Sequence, residues 1–500
     1  MRVRVTRWVR RIALVVGASL LTLLVVRAWD SQRGLPLSLW HTYIPQDIRA
    51  QAIARTDWAG YLAFEQTLFD TVRREVTDRL PPEERTPANR YFAGSPIYPG
   101  NFRTDWNRSY TMEPAGTPAG AVVLLHGLTD SPYSLRHLAR RYAELGWRAV
   151  AIRLPGHGTV PSGLSRVAAA DWEEATRLAV REARRGLAPD APLHVVGFSN
   201  GGALAMKYTL DAMADPTLPR PARVTLISPM IGVTSLARFA GIFGWPAIFP
   251  PFAKASWLGL VPEFNPFKYN SFPVNGARQS SLVARALQAQ ITRYAEAGKL
   301  AELPPILTFQ SVVDFTVSTR AIVDALYLQL PSNGSELVLF DINRAAKLGP
   351  LLSPGAQTVL ARIMPPAPRT FRTTVVTNAA AGDDRMVEIA TEAGAAGERR
   401  TPLAATYPGE VFSLSHLALP FPMTDALYGL TPDTSEDFGV NLGAIAARGE
   451  RGALIVSIDS LVRTSSNPFF DYMLARIEEG ITKRGTATPA VPAAGPATPR

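Results

Sequence analysis

Gly197 and Gly201 flank a serine, Ser199, in a Gly-x-Ser-x-Gly pattern. The glycines allow a backbone turn tight enough to lift the Ser199 hydroxyl out of the fold, where it can attack a carbonyl carbon. Residues 193–196 are an apolar run, and residues 202–206 are small and helix-forming. A buried strand, a sharp turn and a helix are the surroundings that such a nucleophile requires. The pattern therefore predicts a catalytic serine, with an ordinary glycine-rich turn as the simpler alternative.

A serine hydroxyl is a poor nucleophile until a base removes its proton, so Ser199 would need a histidine partner. His416 is the one histidine that follows Ser199 in the chain. Two aspartates, Asp314 and Asp341, each lie at the end of an apolar, strand-like run and could orient that histidine. A turn or helix-cap role is the simpler alternative for Asp314.

Two further glycine-containing segments follow the first two apolar runs of the same region. His-Gly-Leu-Thr-Asp occupies residues 126–130, and Leu-Pro-Gly-His-Gly occupies residues 154–158. In this order and at these separations, the two segments and the serine turn resemble one group of the α/β-hydrolase superfamily. That group contains monoacylglycerol lipases, lysophospholipases, carboxylesterases and serine aminopeptidases. The resemblance covers about residues 110–330 and resumes around His416.

The resemblance implies a role for each residue of the site. The superfamily orders its triad along the chain as Ser, then Asp or Glu, then His. This order makes His416 the base. The position of Asp314, just past an apolar strand, matches where the family places its triad carboxylate, and Asp341 is the alternative acid. The resemblance also implies that the backbone N–H groups of Leu128 and Asn200 form the oxyanion hole, which stabilises the negative oxygen of the transition state.

Two other histidines and one spacing need separate interpretation. By resemblance, His126 and Gly127 open the oxyanion loop, and His157 lies in the second glycine-containing segment. Both histidines precede the nucleophile, so we interpret them as residues that brace these loops rather than as bases. Asp314 and His416 are 102 residues apart, whereas the superfamily typically uses a few tens. An insertion must therefore loop out between them.

Strand-like and helix-like patterns alternate along the chain between residues 121 and 310. The apolar runs are short, as in strands that are buried on both faces, and amphipathic segments separate them. Such alternation predicts an α/β fold with a mostly parallel central sheet flanked by helices, as in the α/β-hydrolase fold. The predicted strands are residues 121–125, 148–152, 193–196, 223–228 and 306–310, and the predicted helices are residues 133–145 and 172–185.

Several segments surround or interrupt this alternating pattern. In the N-terminal extension, one helix is predicted from about Gln46 to Arg79, where two prolines end it. Residues 365–410 are rich in Ala, Gly and Thr, so we expect part of this stretch to be a surface loop. The predicted segments are an N-terminal helical extension (29–115), a hydrolase domain (116–480) with a helical lid (about 235–300) and an insertion (about 345–410), and a disordered tail (481–500).

The lid prediction rests on aromatic residues. Residues 239–272 contain ten aromatics in 34 positions. An apolar lid favours an acyl chain or another lipophilic group in the substrate, although the same side chains could instead pack on the body of the protein. The large apolar groups in question include Phe239, Phe243, Trp245, Phe249, Phe252 and Trp257.

The N-terminus has the composition of a targeting segment. Residues 1–11 contain five arginines and no acid, and residues 12–28 are largely apolar. This pattern is typical of a signal anchor or of a signal peptide. We interpret it as a single transmembrane anchor with a cytoplasmic N-terminus, which places the catalytic domain on the extracytoplasmic side. Cleavage would instead give a secreted or periplasmic protein.

Composition excludes several classes of function. The net charge of +10 lies mostly at the two ends of the chain, so the body offers no basic face for nucleic acid. The absence of cysteine excludes disulfides and thiolate chemistry. The sequence has no metal-binding histidine motif, phosphate loop or dinucleotide fingerprint, so we expect no metal ion and no cofactor.

The sequence therefore predicts a membrane-anchored serine hydrolase that cleaves a small, lipophilic carboxylic ester. A peptidase of the same fold is the first alternative. Such enzymes commonly bind the substrate amine with lid carboxylates, and residues 235–299 contain only two acids, Glu263 and Glu296. A non-catalytic, membrane-anchored binding protein is the second alternative. It is disfavoured because the serine, acid, histidine and both oxyanion loops are all present.

Overall fold

The central feature of the computed structural model, which describes residues 2–31, 34–232, 250–345, 352–444 and 461–482, is a ten-stranded sheet. Its order is β1-β3-β2-β4-β5-β8-β9-β10-β11-β12, and the seven strands from β3 to β10 are parallel. The strands are β1 (Tyr110–Met112), β2 (Ala121–Leu125), β3 (Arg148–Ile152), β4 (Leu193–Phe198), β5 (Arg223–Ile227), β6 (Trp257–Gly259), β7 (Phe272–Pro273), β8 (Ile306–Ser311), β9 (Glu336–Phe340), β10 (Arg372–Asn378), β11 (Arg385–Thr391) and β12 (Glu398–Thr406).

The described residues form twelve α-helices, several of which cover the two faces of this sheet. They are α1 (Arg2–Ser31), α2 (Leu39–Thr42), α3 (Ala50–Ile53), α4 (Trp58–Glu75), α5 (Arg136–Glu144), α6 (Ala169–Arg184), α7 (Asn200–Ala214), α8 (Val274–Glu296), α9 (Thr319–Ala325), α10 (Pro354–Gln357), α11 (Val359–Ile363) and α12 (Phe470–Thr482). The predicted class, a mostly parallel sheet flanked by helices, is confirmed.

The apolar runs of the sequence form strands because both sides of each strand are buried. Along β2, Val123 packs into the core beneath α6, α7 and α8. Its neighbours Val122 and Leu124 pack into the opposite core, beneath α5 and α12. Successive side chains of a strand point to opposite faces, so a continuous apolar run supplies both cores at once.

The N-terminal extension differs from its prediction in one respect. The single helix expected from Gln46 to Arg79 is two helices, α3 and α4, which are separated by residues 54–57. The break has a local cause, because the Asp57 carboxylate accepts a hydrogen bond from the Gly60 N–H at 2.8 Å. This N-cap starts a new helix where the hydrophobic period alone suggests continuation.

The stretch before His416 is more regular than its composition suggests. Part of residues 365–410 was expected to be a surface loop, and half of this stretch forms β10, β11 and β12. β10 pairs in parallel with β9, and the next two strands add to it as antiparallel neighbours. The run Arg-Thr-Thr-Val-Val-Thr-Asn of β10 is rich in β-branched residues, which favour a pleated, half-buried strand. The insertion therefore widens the sheet.

The N-terminal helix α1 contains an apolar span from Trp8 to Val26 with a mean hydropathy of 2.1, and none of this span is buried against the rest of the chain. Its length suits a membrane crossing or a signal sequence. The predicted tail, apart from the end of α12, lies outside the described residues, as do residues 233–249 of the predicted lid.

Candidate active site

Ser199 lies at the turn between β4 and α7. Its φ of 54° and ψ of −117° are unusual for a residue with a side chain and match the strained turn of a nucleophile elbow. The two flanking positions have room only for glycine. A Cβ on Gly201 would lie 2.0 Å from the carbonyl oxygen of Leu125, and one on Gly197 would lie 2.3 Å from the carbonyl oxygen of Gly201. The pattern in the sequence is therefore a steric requirement of this turn.

Asp314 and His416, which are 102 residues apart, are hydrogen-bonded in the structure. The distance from His416 Nδ1 to Asp314 Oδ2 is 2.8 Å. The other carboxylate oxygen of Asp314 accepts the backbone N–H groups of Thr316 and Val317 at 2.7 and 3.0 Å. Burial acts to raise the pKa of Asp314, but His416 and these hydrogen bonds outweigh it and lower the pKa. The acid is thus held ionised beside the ring.

Asp341, the alternative acid, is occupied elsewhere. Its Oδ2 accepts hydrogen bonds from Arg344 Nε and Thr377 Oγ1, both at 2.9 Å. Its Oδ1 accepts the backbone N–H of Ile342 at 2.9 Å. These contacts tie the end of β9 to β10, and the hydrogen bonds of Asp341 include none to His416.

The insertion begins and ends close to the end of β9. Asn343, just after β9, donates its backbone N–H to the carbonyl oxygen of Phe412 at 2.8 Å. Its side-chain amide donates to the carbonyl oxygens of Val411 and Pro408 at 2.9 and 3.0 Å. The two ends of the insertion are therefore adjacent. His416 follows immediately and lies near the end of β9 despite the long sequence separation.

The ring of His416 also contacts the nucleophile strand. It stacks on the ring of Phe198, the residue before Ser199, with centroids 5.2 Å apart and planes 29° apart. Ser199 and His416 are both buried, each with 8% of its surface exposed, and both line one cavity of about 630 Å³. The structure thus brings together the three residues that the sequence analysis assigned to the triad.

The two predicted oxyanion residues lie on either side of Ser199 in different elements. Leu128 lines the cavity from the loop after β2. Asn200 is the first residue of α7, so its N–H has no acceptor within the helix and is available to a ligand. The Asn200 side chain accepts a hydrogen bond from Ser280 Oγ of α8 at 2.5 Å, which ties the start of α7 to its neighbour.

His126 and His157 make the contacts expected of loop braces. His126 Nε2 accepts the backbone N–H of Leu154 at 3.0 Å, and its Nδ1 donates to the carbonyl oxygen of Gly127 at 2.9 Å. The His157 ring lies 4.9 Å from the His126 ring at 75°. Burial lowers the pKa of His126 well below its usual value and the pKa of His157 to about 3. Both rings are therefore neutral and join the two glycine-containing loops.

Arg153 is a residue to which the sequence analysis gave no role. It directly follows β3 and is fully buried. Its guanidinium binds Glu65 at 2.7 Å and Asp47 at 2.8 Å, and it also donates to the carbonyl oxygen of His157 at 3.1 Å. Asp47 in turn accepts the N–H of Gly156 at 2.7 Å. The N-terminal extension thereby holds the second glycine-containing loop. An arginine at the end of an apolar run was the available signal, but its partners lie more than eighty residues away in sequence.

The described part of the predicted lid contributes to the cavity wall. Val261, Phe264 and Phe272 line it. Trp257 instead packs edge-on against the ring of His41, 4.8 Å away, which is the core-packing alternative for that aromatic. Phe239, Phe243, Trp245 and Phe249 lie outside the described residues, so the lid stays a prediction. Within the described ranges, no group of histidine and acidic side chains is arranged to hold a metal ion.

Parts of the chain are similar to known proteins. The family model described as serine aminopeptidase, S33, matches residues 116–341. This match includes Ser199 and Asp314 and ends before His416. A thermostable monoacylglycerol lipase from Bacillus sp. (strain H-257) is 37% identical over 90 residues, which are 18% of this chain and 34% of that protein. The chain thus spans about a third of the length of this curated relative.

Solved structures of lipolytic enzymes are also similar in part. A structure reported for LipS and LipT, two metagenome-derived lipolytic enzymes, is 22% identical and has a TM-score of 0.38. This likeness covers 47% of this chain and 88% of that enzyme. A soluble variant of monoglyceride lipase from Saccharomyces cerevisiae, solved with a substrate analogue, is 14% identical and has a TM-score of 0.37. The covered shares are 46% and 81%.

Proposed function

We propose that this chain, which belongs to the α/β-hydrolase superfamily and to its group of monoacylglycerol lipases, lysophospholipases, carboxylesterases and serine aminopeptidases, is a serine hydrolase that cleaves a carboxylic ester. One observation carries the proposal. The strained Ser199 and His416 line a single cavity, and His416 is hydrogen-bonded to Asp314 behind it. A nucleophile, a base and an oriented acid in one cleft are the parts that acyl transfer needs.

The reaction would proceed in two halves. Ser199 Oγ attacks the ester carbonyl carbon while His416 Nε2 takes its proton, and the carbonyl oxygen becomes an oxyanion. The N–H groups of Leu128 and Asn200 would bind that oxygen. The C–O bond to the alcohol then breaks, and the alcohol leaves with the proton from His416. A water molecule repeats the sequence on the acyl-enzyme, which releases the acid and restores Ser199.

The cavity supports a lipophilic substrate. Its wall is mostly apolar, and its volume of about 630 Å³ suits a ligand of moderate size. Several apolar side chains surround Ser199 and would contact an acyl chain; these are Leu128, Met230, Val261, Phe264, Phe272 and Leu417.

The decisive experiment is active-site labelling of the full-length protein in neutral detergent. A fluorophosphonate should label the wild type, and para-nitrophenyl esters should be hydrolysed. Ser199→Ala should abolish both. Ser281→Ala is a matched control, because Ser281 lines the same cavity and its buried hydroxyl has no hydrogen-bond partner among the described residues. Labelling that persists in Ser199→Ala, or disappears in Ser281→Ala alone, would contradict the proposal.

The peptidase alternative needs a carboxylate that faces the substrate amine. Glu263 instead accepts the backbone N–H groups of Ser271 and Asn270 at 2.7 and 3.0 Å. Glu296 is the last residue of α8 and does not line the cavity. Within the described residues, the cavity wall contains neither aspartate nor glutamate. This composition favours esters over peptides with a free amine, and aminoacyl para-nitroanilides would test the difference.

We also propose that α1 anchors the protein in a membrane with the catalytic domain on the extracytoplasmic side. The apolar span and the arginines that precede it support this orientation. Protease added to spheroplasts should digest the catalytic domain, whereas a cytoplasmic domain would be protected until lysis.

A further inference from the structure

Lys268 places a cation in the wall of the active-site cavity. Its ammonium group donates to Thr129 Oγ1 at 2.9 Å and to the carbonyl oxygen of Leu128 at 3.5 Å. It is therefore attached to the loop that supplies one predicted oxyanion N–H. Among the described residues, no carboxylate forms an ion pair with Lys268.

Arg463 adds a second cation to the same cavity from the side of the acid. Its guanidinium donates to Thr316 Oγ1 at 2.6 Å, two residues beyond Asp314. In the part of the chain that the structure describes, Arg463 likewise has no ion-pair partner. Burial lowers the pKa of Lys268, and the charge of Arg463 lowers it further, whereas Asp130 and Glu263 raise it. The two cavity cations thus repel each other.

The carboxylates near this pair are used within the framework. Asp130 accepts the backbone N–H of Gly127 at 3.3 Å, and Glu263 accepts two backbone N–H groups of the lid segment. Neither residue lines the cavity. A cavity whose described wall is mostly apolar and contains two cations and no carboxylate favours an anion, because opposite charges attract more strongly beside apolar surface than in bulk water.

Two of the three almost fully buried arginines among the described residues form ion pairs with carboxylates. Arg136 pairs with Asp425 at 2.7 Å and Glu436 at 3.4 Å, and Arg153 pairs with Asp47 and Glu65. The third, Arg90, donates to the oxygens of Lys268 and Asn107 without an ion pair, and it does not line the cavity. Lys268 and Arg463 differ from all three because they line the cavity and have no carboxylate partner among the described residues.

We propose that the ester substrate carries an anionic group, a carboxylate or a phosphate, and that Lys268 and Arg463 bind it while the apolar wall binds the rest of the molecule. This inference rests on the proposed ester hydrolysis and adds the charge of the substrate. Both side chains can donate charge-assisted hydrogen bonds, which are stronger than neutral ones. A free amine on the substrate would be repelled by the same pair.

The test compares esters that differ only in charge. Para-nitrophenyl hexanoate and mono-para-nitrophenyl adipate have acyl chains of equal length, and the second ends in a carboxylate. Monodecanoylglycerol and its phosphate place the charge on the leaving group instead. We expect kcat/KM to be at least about tenfold higher for the anionic member of one pair, as for a gained charge-assisted contact. The pair that shows the preference identifies the position of the charge.

Variants then connect the preference to the two cations. Lys268→Met and Arg463→Gln should each reduce the anionic-to-neutral ratio of kcat/KM by about tenfold, mainly through KM of the anionic ester. Lys299→Met, in a turn remote from the cavity, should keep the wild-type ratio. If Lys268 only supports the oxyanion loop, its substitution will lower kcat/KM equally for both esters, and the ratio will not change.

The outcomes separate this inference from the proposed function. Ser199-dependent hydrolysis of neutral esters, with no anionic preference in either pair, would overturn the inference and leave the proposed function standing. No hydrolysis of any ester would overturn both. Raising the salt concentration should raise KM for the preferred anionic ester and leave KM for its neutral partner nearly constant. An equal change of KM for the two esters would also contradict the inference.

Discussion

The nucleophile and the base reach the same cavity by different routes. Ser199 is positioned by its immediate neighbours, because β4, two glycines and α7 fix the turn. His416 is positioned by contacts between distant segments. After β9 the chain adds three more strands to the sheet, and hydrogen bonds between Asn343 and residues 408–412 bring it back to the end of β9. Local geometry therefore specifies one half of the site, and tertiary contacts specify the other.

The largest expected effect tests whether the two halves act as one unit. His416→Ala should lower kcat about as much as Ser199→Ala, by up to about a millionfold, because neither residue of a triad is effective without the other. The double variant should be no slower than either single variant. Ester turnover by the purified proteins measures this, and additive losses would show that the two residues act independently.

A smaller loss is expected at the acid. Asp314→Asn should lower kcat by about ten-thousandfold, because the carboxylate orients the histidine and does not take its proton. Asp341→Asn is the matched control, since this aspartate binds Arg344 and Thr377 instead. A severe loss in Asp341→Asn with a mild one in Asp314→Asn would reverse the assignment.

The same contrast explains how much of the fold could be predicted from the sequence. The strands at residues 121–125 and 148–152 were predicted with the bounds that the structure has, because strands buried on both faces are continuous apolar runs. The break before α4 was missed, since one capping aspartate overrides the helical period there. A cap is a local signal, and Asp57 was visible in the sequence.

Some residues of the candidate site could likewise be predicted from local sequence, and others could not. Ser199 belongs to a local motif, and Asp314 follows a predicted strand, so both were assigned from short stretches of sequence. His416 was assigned by order along the chain, and its proximity to Asp314 depends on pairing between β9, β10 and the strands beyond. The two cavity cations had no signal at all, because Lys268 and Arg463 are almost two hundred residues apart and meet only in the folded chain.

An intermediate effect is expected when the contacts that position His416 are weakened and the triad residues are unchanged. Asn343→Ala removes the side-chain hydrogen bonds to Pro408 and Val411. Because a displacement of a catalytic group by about an ångström can cost about a hundredfold, we expect kcat to fall by about ten- to a hundredfold with little change in KM. Asn333→Ala, at the other end of β9, is the control. Equal losses in both variants would attribute the effect to general destabilisation.

The smallest effect concerns the five histidines outside the proposed triad. Burial lowers the pKa of His41 and His137 to about 4 and that of His157 and His194 to about 3. Burial also lowers the pKa of His126. These rings are neutral when folded but protonate near pH 6.5 in the unfolded chain. The unfolded state therefore binds more protons as the pH falls below about 6.5, and the free energy of unfolding must decrease.

His194 allows this linkage to be measured at one site remote from the triad. Its Nδ1 lies 3.0 Å from the hydroxyl of Tyr142, and its ring lies 4.4 Å from that of Trp147. A group that protonates only in the unfolded state contributes about 1.4 kcal/mol per pH unit to the slope of the free energy of unfolding. His194→Gln should therefore reduce that slope by about 1.4 kcal/mol per unit between about pH 6 and 4. Urea unfolding of both proteins in neutral detergent measures it. Parallel curves would mean that His194 already carries a proton in the folded protein, which would contradict the prediction.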